Sequence, residues 1–368
     1  MACLQRVITP GAVCPFCKET RMKNRMIARI VNILHLPLVL ALLLLYAPSC
    51  QKDEPLNNPP VADFSVLEDL DEFFLFDESY DPDGDPLSLW WNVASDQILL
   101  SGHQQPEVYF RIPLLQEPLD VILTLVADDG LATHETRKTI TLPVLNEERI
   151  FGLGMECTAQ NSNEAGYEWY VDQANSGTFS NINCGPASAV MAAKWAIPGF
   201  TGTTREARDM ILPGGGWWYT NNIIDYLNHF SVTNFTLALG SMEVLRQQID
   251  QGNIAILCLD MYYIRNQEKN RWHVDRFYNA GNTGWGHFII VKGYKIVDGQ
   301  LFFEAYDPYG FAQTYPDGAP KGKNRYYREA ELNDSSNIWW DYAIIISRDP
   351  DKMGKGLDPV KIPHQAGR

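Results

Sequence analysis

Residues 181–193 read Asn-Ile-Asn-Cys-Gly-Pro-Ala-Ser-Ala-Val-Met-Ala-Ala, a cysteine at the head of a run of small helix formers. A helix is expected over 187–196: Asn183 suits a cap, Pro186 suits a first turn, and Ile197-Pro-Gly199 supplies a stop. Cys184 then sits at a helix N-terminus. Backbone N–H groups and the macrodipole there favour thiolate over thiol, which is what a nucleophilic cysteine needs. Gly185 keeps the approach to the sulfur open. The same segment also fits a small buried cysteine starting a core helix, so a base is needed to choose between the two.

Gly286-His-Phe-Ile-Ile-Val-Lys-Gly-Tyr294 places His287 at the mouth of an apolar strand. Leu301-Phe-Phe-Glu-Ala-Tyr-Asp-Pro-Tyr-Gly310 returns as its partner and ends in Asp307. The hairpin brings both residues to its open end, where an aspartate can hold the imidazole tautomer and steady the imidazolium. Register is critical. A two-residue loop at Asp298-Gly299 puts the two side chains on opposite faces, whereas an odd loop or a bulge puts them on one face. A catalytic pair requires the latter. His229 and His273 lack a following strand and an acidic partner, and read as packing or surface residues. No His/Cys/Asp/Glu group has zinc spacing, and no metal or other cofactor is called for. Gly214-Gly-Gly-Trp-Trp-Tyr219 fits equally an aromatic lip to a cleft or a loop packing two tryptophans on the core.

Residues 61–145 show short alternating strands with turn residues every 8–12 positions, as an all-β sandwich requires. Trp90 reads as its buried tryptophan. Asp81, Asp83 and Asp85 alternate along one turn, as calcium loops begin. Calcium needs six or more oxygens, and no glutamate follows at the twelfth loop position, so a turn is the preferred reading of Asp-Pro-Asp-Gly. A linker is expected at 146–149. Residues 150–349 mix helices (187–196, 221–229, 242–251) with later strands (254–259, 288–294, 301–306, 342–347), an α+β pattern. Residues 350–368 form a polar tail.

The first 49 residues carry Arg25 and Arg29 before an apolar run over 33–46, too short to span a bilayer comfortably but right for a signal-peptide core. Ala47-Pro-Ser-Cys50 ends that run and resembles the lipobox of bacterial lipoproteins, which implies lipidation at Cys50 and a tether over 50–60. Lys52-Asp-Glu54 resembles a surface-export signal. An exported protein is expected, lipid-anchored to the bacterial outer membrane on its periplasmic or cell-surface side, with the membrane met through lipid alone. Net charge is −15, and a chain beginning at Cys50 is more acidic still, at about −20. Such a surface repels phosphates, which argues against nucleic-acid binding. Seven cysteines include Cys14-Pro-Phe-Cys17, which has redox spacing without the strand–helix context. Beyond Cys50 at most Cys157 and Cys258 could pair.

Two resemblances follow from these motifs. Pro60-Val-Ala-Asp-Phe64, Ser79-Tyr-Asp-Pro-Asp-Gly-Asp85, Trp90 and Leu125-Val-Ala-Asp-Asp-Gly130 resemble a PKD or related immunoglobulin-like repeat. The family's aromatic-Asp-Phe-Gly-Asp-Gly stretch is missing. The order Gln, Asn-Cys-Gly-Pro, Gly-His-Phe, Asp-Pro over roughly 165–347 resembles cysteine peptidase family 39 and its papain-like relatives, which include leader peptidases of bacteriocin exporters. That resemblance implies a papain-like fold with Cys184 as nucleophile, His287 as base, Asp307 as orienter and Gln173 as oxyanion donor. Gln173 stands eleven positions before Cys184, a longer gap than in papain, and residues 263–285 look like an insertion. The implied activity is hydrolysis of a peptide or protein substrate. Amidase or transglutaminase-like acyl transfer suits the same scaffold, and the competing class is a non-catalytic surface binding protein.

Overall fold

Two three-stranded antiparallel sheets open the computed structural model, which describes residues 56–352. The strands are β1 (Phe64–Asp69), β2 (Glu72–Asp77), β3 (Ser88–Val93), β4 (Glu107–Arg111), β5 (Leu119–Asp128) and β6 (Thr133–Leu142). Sheet β1-β2-β4 and sheet β3-β5-β6 share one core of Phe64, Phe73, Leu75, Trp91, Phe110, Leu123 and Leu125. The period-2 alternation along β4 and β5 dictates this, since every second side chain meets the facing sheet. The buried tryptophan is Trp91, whose Nε1 donates to Gln105 O (2.8 Å). Trp90, expected inside, is 51% exposed and stacks on His103. Adjacent strand positions point to opposite faces, so one position decides which indole is core. Asp81 Oδ1 accepts the N–H groups of Asp83 (2.8 Å) and Asp85 (3.1 Å), closing the turn on itself.

Within the expected linker at 146–149, residues 147–149 are helical. Asn146 caps α1 (Glu147–Phe151), and Glu147 and Glu148 both pair with Lys295. The remainder is mixed α/β. Strand β7 (Cys157–Ser162) leads to α2 (Cys184–Ala196), α3 (Thr204–Ile211) and α4 (Thr220–His229). Then come β8 (Asn234–Ala238), α5 (Met242–Asp250), β9 (Ile254–Asp260), β10 (Gly286–Val297), β11 (Gln300–Tyr306), β12 (Arg325–Arg328), α6 (Glu329–Trp339) and β13 (Tyr342–Ile346). Their strands form one antiparallel sheet, ordered β12-β11-β10-β9-β13-β8, with β7 on the second half of β10.

Strand β9 is buried on both faces. Ile254, Ile256 and Cys258 join Phe288 and Ile290 under α2 and α4, while Ala255, Leu257 and Leu259 join Ile289 and Val291 under α5. Helix α2 is apolar nearly all round because it lies inside, held to β10 by Ser188 Oγ donating to Phe288 O (3.3 Å).

Over residues 57–352 the chain is one compact unit. The β1–β2 turn and residues 269–271 meet in a buried charge cluster. Arg271 binds Asp71 (2.8 Å) and Glu72 (2.9 Å), Lys269 pairs with Glu72, and Arg111 adds a bond to Asp71 (2.8 Å). Arg149 Nε donates to Leu70 O (2.7 Å) across the same seam. The expected signal peptide, Cys14 and Cys17, lipidation at Cys50, and residues 353–368 of the tail lie outside the described residues. Among the described residues no helix is long and apolar enough to cross a membrane. Cys157 and Cys258 are free thiols.

Candidate active site

Cys184 is the first residue of α2, because Ala187 N donates to Asn183 O (2.9 Å) and closes the first turn there. Its neighbour Gly185 lies against Trp218, and a Cβ at that position would come within 2.7 Å of the Trp218 Cβ. The glycine-rich loop thus divides its tryptophans. Trp218 is buried beside the cysteine, and Trp217 is exposed.

The hairpin brings His287 and Asp307 together through a bulge. Its turn is the two-residue Asp298-Gly299, both in the left-handed region (φ 49° and 78°), with Val297 opposite Gln300. Alone this turn would separate the two side chains. Further along, Gly293 faces Glu304 but Val291 faces Ala305, so Lys292 is an extra residue and the register slips by one. His287 and Asp307 then share a face. The bulge is anchored, since buried Lys292 pairs with Glu304 and Glu164.

His287 Nε2 is 2.7 Å from Asp307 Oδ1, and both residues are buried. The other ring nitrogen, Nδ1, is left for Cys184. Asp307 is saturated: Oδ1 also accepts Tyr309 N–H (2.9 Å), and Oδ2 accepts the hydroxyls of Tyr278 (2.9 Å) and Tyr327 (2.8 Å). These two tyrosines escaped sequence reasoning. Tyr327 is on β12, too short a strand to read, and Tyr278 lies in the segment taken for a mere insertion.

The electrostatics follow from this packing. Burial pushes the Cys184 thiol up, but the hydrogen bond and charge of His287 and backbone bonds from Phe288 and Gly185 outweigh it, so the thiol lies below its ordinary value. Burial pulls the His287 imidazole down, and the Asp307 carboxylate followed by Cys184 outweighs that, raising it to about 10. Burial likewise raises the Asp307 carboxyl, and His287, Tyr309 N–H and Tyr327 hold it ionised below its ordinary value. All three shifts favour a thiolate–imidazolium pair beside an ionised carboxylate.

Gln173 is buried on the segment beside Asp307. Its N–H donates to Pro308 O (2.8 Å) and its Nε2 to Ser180 O (2.7 Å), leaving Nε2 a second hydrogen. Among the described residues its amide makes no hydrogen bond to Cys184. Asn183, expected to cap α2 with its side chain, does not. Its amide is drawn away by Arg208 and Ser176. His273 is sandwiched between Phe151 and Tyr315 at 3.8 Å from each, and burial lowers it to about 4. His229 is exposed.

Together these features define a mixed α/β protein with a buried Cys–His–Asp constellation at a helix N-terminus. No family model and no curated protein matches the chain. Among solved structures, a Bacillus anthracis protein described as a C39-like peptidase is 12% identical over 51% of this chain and 98% of its own, with a TM-score of 0.35. The PKD1 domain of Vibrio anguillarum Epp is 23% identical over 24% of this chain and 99% of its own, at 0.21. The PKD1 domain of the Vibrio cholerae metalloprotease PrtV is 18% identical over 23% and 99%, at 0.20. These likenesses are remote, and what the site can do follows from its own geometry.

Proposed function

We propose that this chain is a papain-like cysteine hydrolase that cleaves peptide bonds in an exported setting. The observation that carries the reading is buried Cys184 at the start of α2, electrostatically coupled to His287, whose Nε2 lies 2.7 Å from Asp307 Oδ1. The Cys184 thiolate attacks the scissile carbonyl carbon, forming a C–S bond and moving an electron pair onto oxygen. The Cys184 N–H and the free hydrogen of Gln173 Nε2 serve that oxyanion. Collapse restores the carbonyl and breaks the C–N bond, and the His287 imidazolium passes its proton to the leaving amine. Neutral His287 then takes a proton from water as it attacks the thioester, and collapse releases the acid and regenerates the thiolate. Asp307 holds the imidazole tautomer and steadies the imidazolium throughout.

The test is to incubate the full chain with a peptide library at neutral pH, with mass spectrometry of products and protein. New peptide termini and an acyl adduct on Cys184, both lost in Cys184→Ala, are expected. A library left intact by a folded protein, with no adduct, would support the non-catalytic binding protein instead. The PKD or immunoglobulin-like identity of the two small sheets and lipid anchoring through Cys50 belong to the same proposal. The anchor rests on the apolar run and Ala47-Pro-Ser-Cys50, and labelled palmitate entering wild type but not Cys50→Ala in cells is the expected result.

A further inference from the structure

Arg208 of α3 is 1% exposed and carries its charge into the interior. Nε donates to Asn183 Oδ1 (2.8 Å), Nη1 to Gly216 O (2.9 Å) and Nη2 to Ile182 O (3.2 Å). The Phe179 and Trp218 rings each lie 5.7 Å from its guanidinium carbon. All three acceptors are neutral. A buried cation without a bonded carboxylate is costly, and removing water leaves its field strong.

The surroundings show what that field acts on. Two of the acceptors belong to the residues directly before Cys184, and Trp218 packs on Gly185 directly after it. Burial pulls the guanidinium pKa down, and attraction to Cys184, then to Asp209, opposes it. Asn183 matters equally. A side chain in its position ordinarily accepts the N–H of the second or third helical residue. Here the third is Pro186, which has none, so a capping Asn183 would take the N–H of Gly185, which bonds the sulfur. Instead its Oδ1 is occupied by Arg208 and its Nδ2 donates to Ser176 Oγ (2.8 Å).

We propose that Arg208 is a positioning residue for the nucleophile, holding the Asn183 amide off the first turn of α2 and setting a fixed positive charge near the Cys184 sulfur. This rests on Cys184 being the nucleophile. Charged and titratable groups that interact electrostatically with Cys184 include His287 from β10, Cys258 from β9, Tyr278 from the segment between those strands, and Arg208 from α3. Only Arg208 among them is a cation at every working pH.

The experiment follows iodoacetamide alkylation of Cys184 from acid to alkaline pH in the full chain, with thermal unfolding alongside. Arg208→Gln is expected to raise the alkylation midpoint by about one pH unit, seen as about tenfold slower labelling at acid pH and an unchanged alkaline plateau. Arg208→Lys keeps the charge but cannot span three acceptors, so it shifts the midpoint less, by about threefold in acid rate. Adding Asn183→Ala to Arg208→Lys removes the competing amide and returns the midpoint toward wild type. A wild-type midpoint in Arg208→Gln overturns the proposal, as does one in Arg208→Lys should the Gln variant fail to fold. An ordinary thiol profile in wild type itself would instead remove the nucleophile reading on which the proposal stands.

Discussion

At the scale of single residues, His287 is set between a thiol held low and a carboxylate held ionised. With the thiol lowered and the imidazole raised, both shifts favour the thiolate–imidazolium pair over the neutral one. Activity is therefore expected to rise as pH climbs through the folded thiol value and to fall as pH passes about 10, where the imidazolium loses its proton. A kcat/KM profile checks this, and an acid limb centred on the ordinary thiol value of about 8.5 would contradict it. Asp307→Ala removes the tether of the imidazole, and a loss of about 10²-fold or more in kcat is expected. It also leaves the Tyr278 and Tyr327 hydroxyls buried without their acceptor, costing about 1–3 kcal/mol each in denaturant unfolding. The folded carboxyl is depressed, so its contribution to stability is complete above about pH 3.9, the unfolded value, and is lost as pH falls through the folded one. The unfolding midpoint of wild type is accordingly expected to drop more steeply in acid than that of Asp307→Asn.

At the scale of elements, the site depends on one extra residue in β10. Lys292→Met removes the charge that anchors the bulge to Glu304 and Glu164 and lets the hairpin slip to the register of its two-residue turn, which moves Asp307 to the face away from His287. The expected outcome is loss of rapid Cys184 alkylation in a protein that retains its far-ultraviolet circular dichroism. Gly293 is equally constrained, since a Cβ there would meet Asn161 O at 2.6 Å, and Gly293→Ala is expected to lower the unfolding temperature. The hairpin, its turn and the need for a bulge were legible in the order of residues from His287 to Asp307. The bulge's position was not, because the carboxylate of Glu164 that anchors it is remote in sequence. Long strands such as β9 and β10 announced themselves by apolar runs. Short β7, β8 and β12 draw their stability from neighbours, which no local pattern records. Trp90 and Trp91 were indistinguishable until the cross-strand pairs were known.

At the scale of the whole molecule, the two small sheets grip a segment that serves the site. Asp71 of the β1–β2 turn and Glu72 at the start of β2 clamp Arg271 and Lys269, in the same segment that delivers Tyr278 to Asp307. Arg271→Ala leaves buried Asp71 to the more exposed Arg111 and Glu72 to Lys269, with about 1–3 kcal/mol lost. It is expected to lower kcat as well, through a loosened Tyr278, which parallel unfolding and rate measurements check. Loss of stability with an unchanged kcat would limit the clamp to a structural role. Sequence alone disclosed the candidate nucleophile and, on one hairpin, the candidate base and orienter; their meeting with Cys184 depends on this three-dimensional frame.

The most direct measurement is alkylation of Cys184 against pH in the full chain, comparing wild type with His287→Ala. The account predicts fast labelling of wild type well below the pKa of an ordinary thiol, about 8.5, and a profile moved toward that value in the variant. Slow labelling with an ordinary thiol profile in both would contradict it and leave Cys184 a buried structural residue.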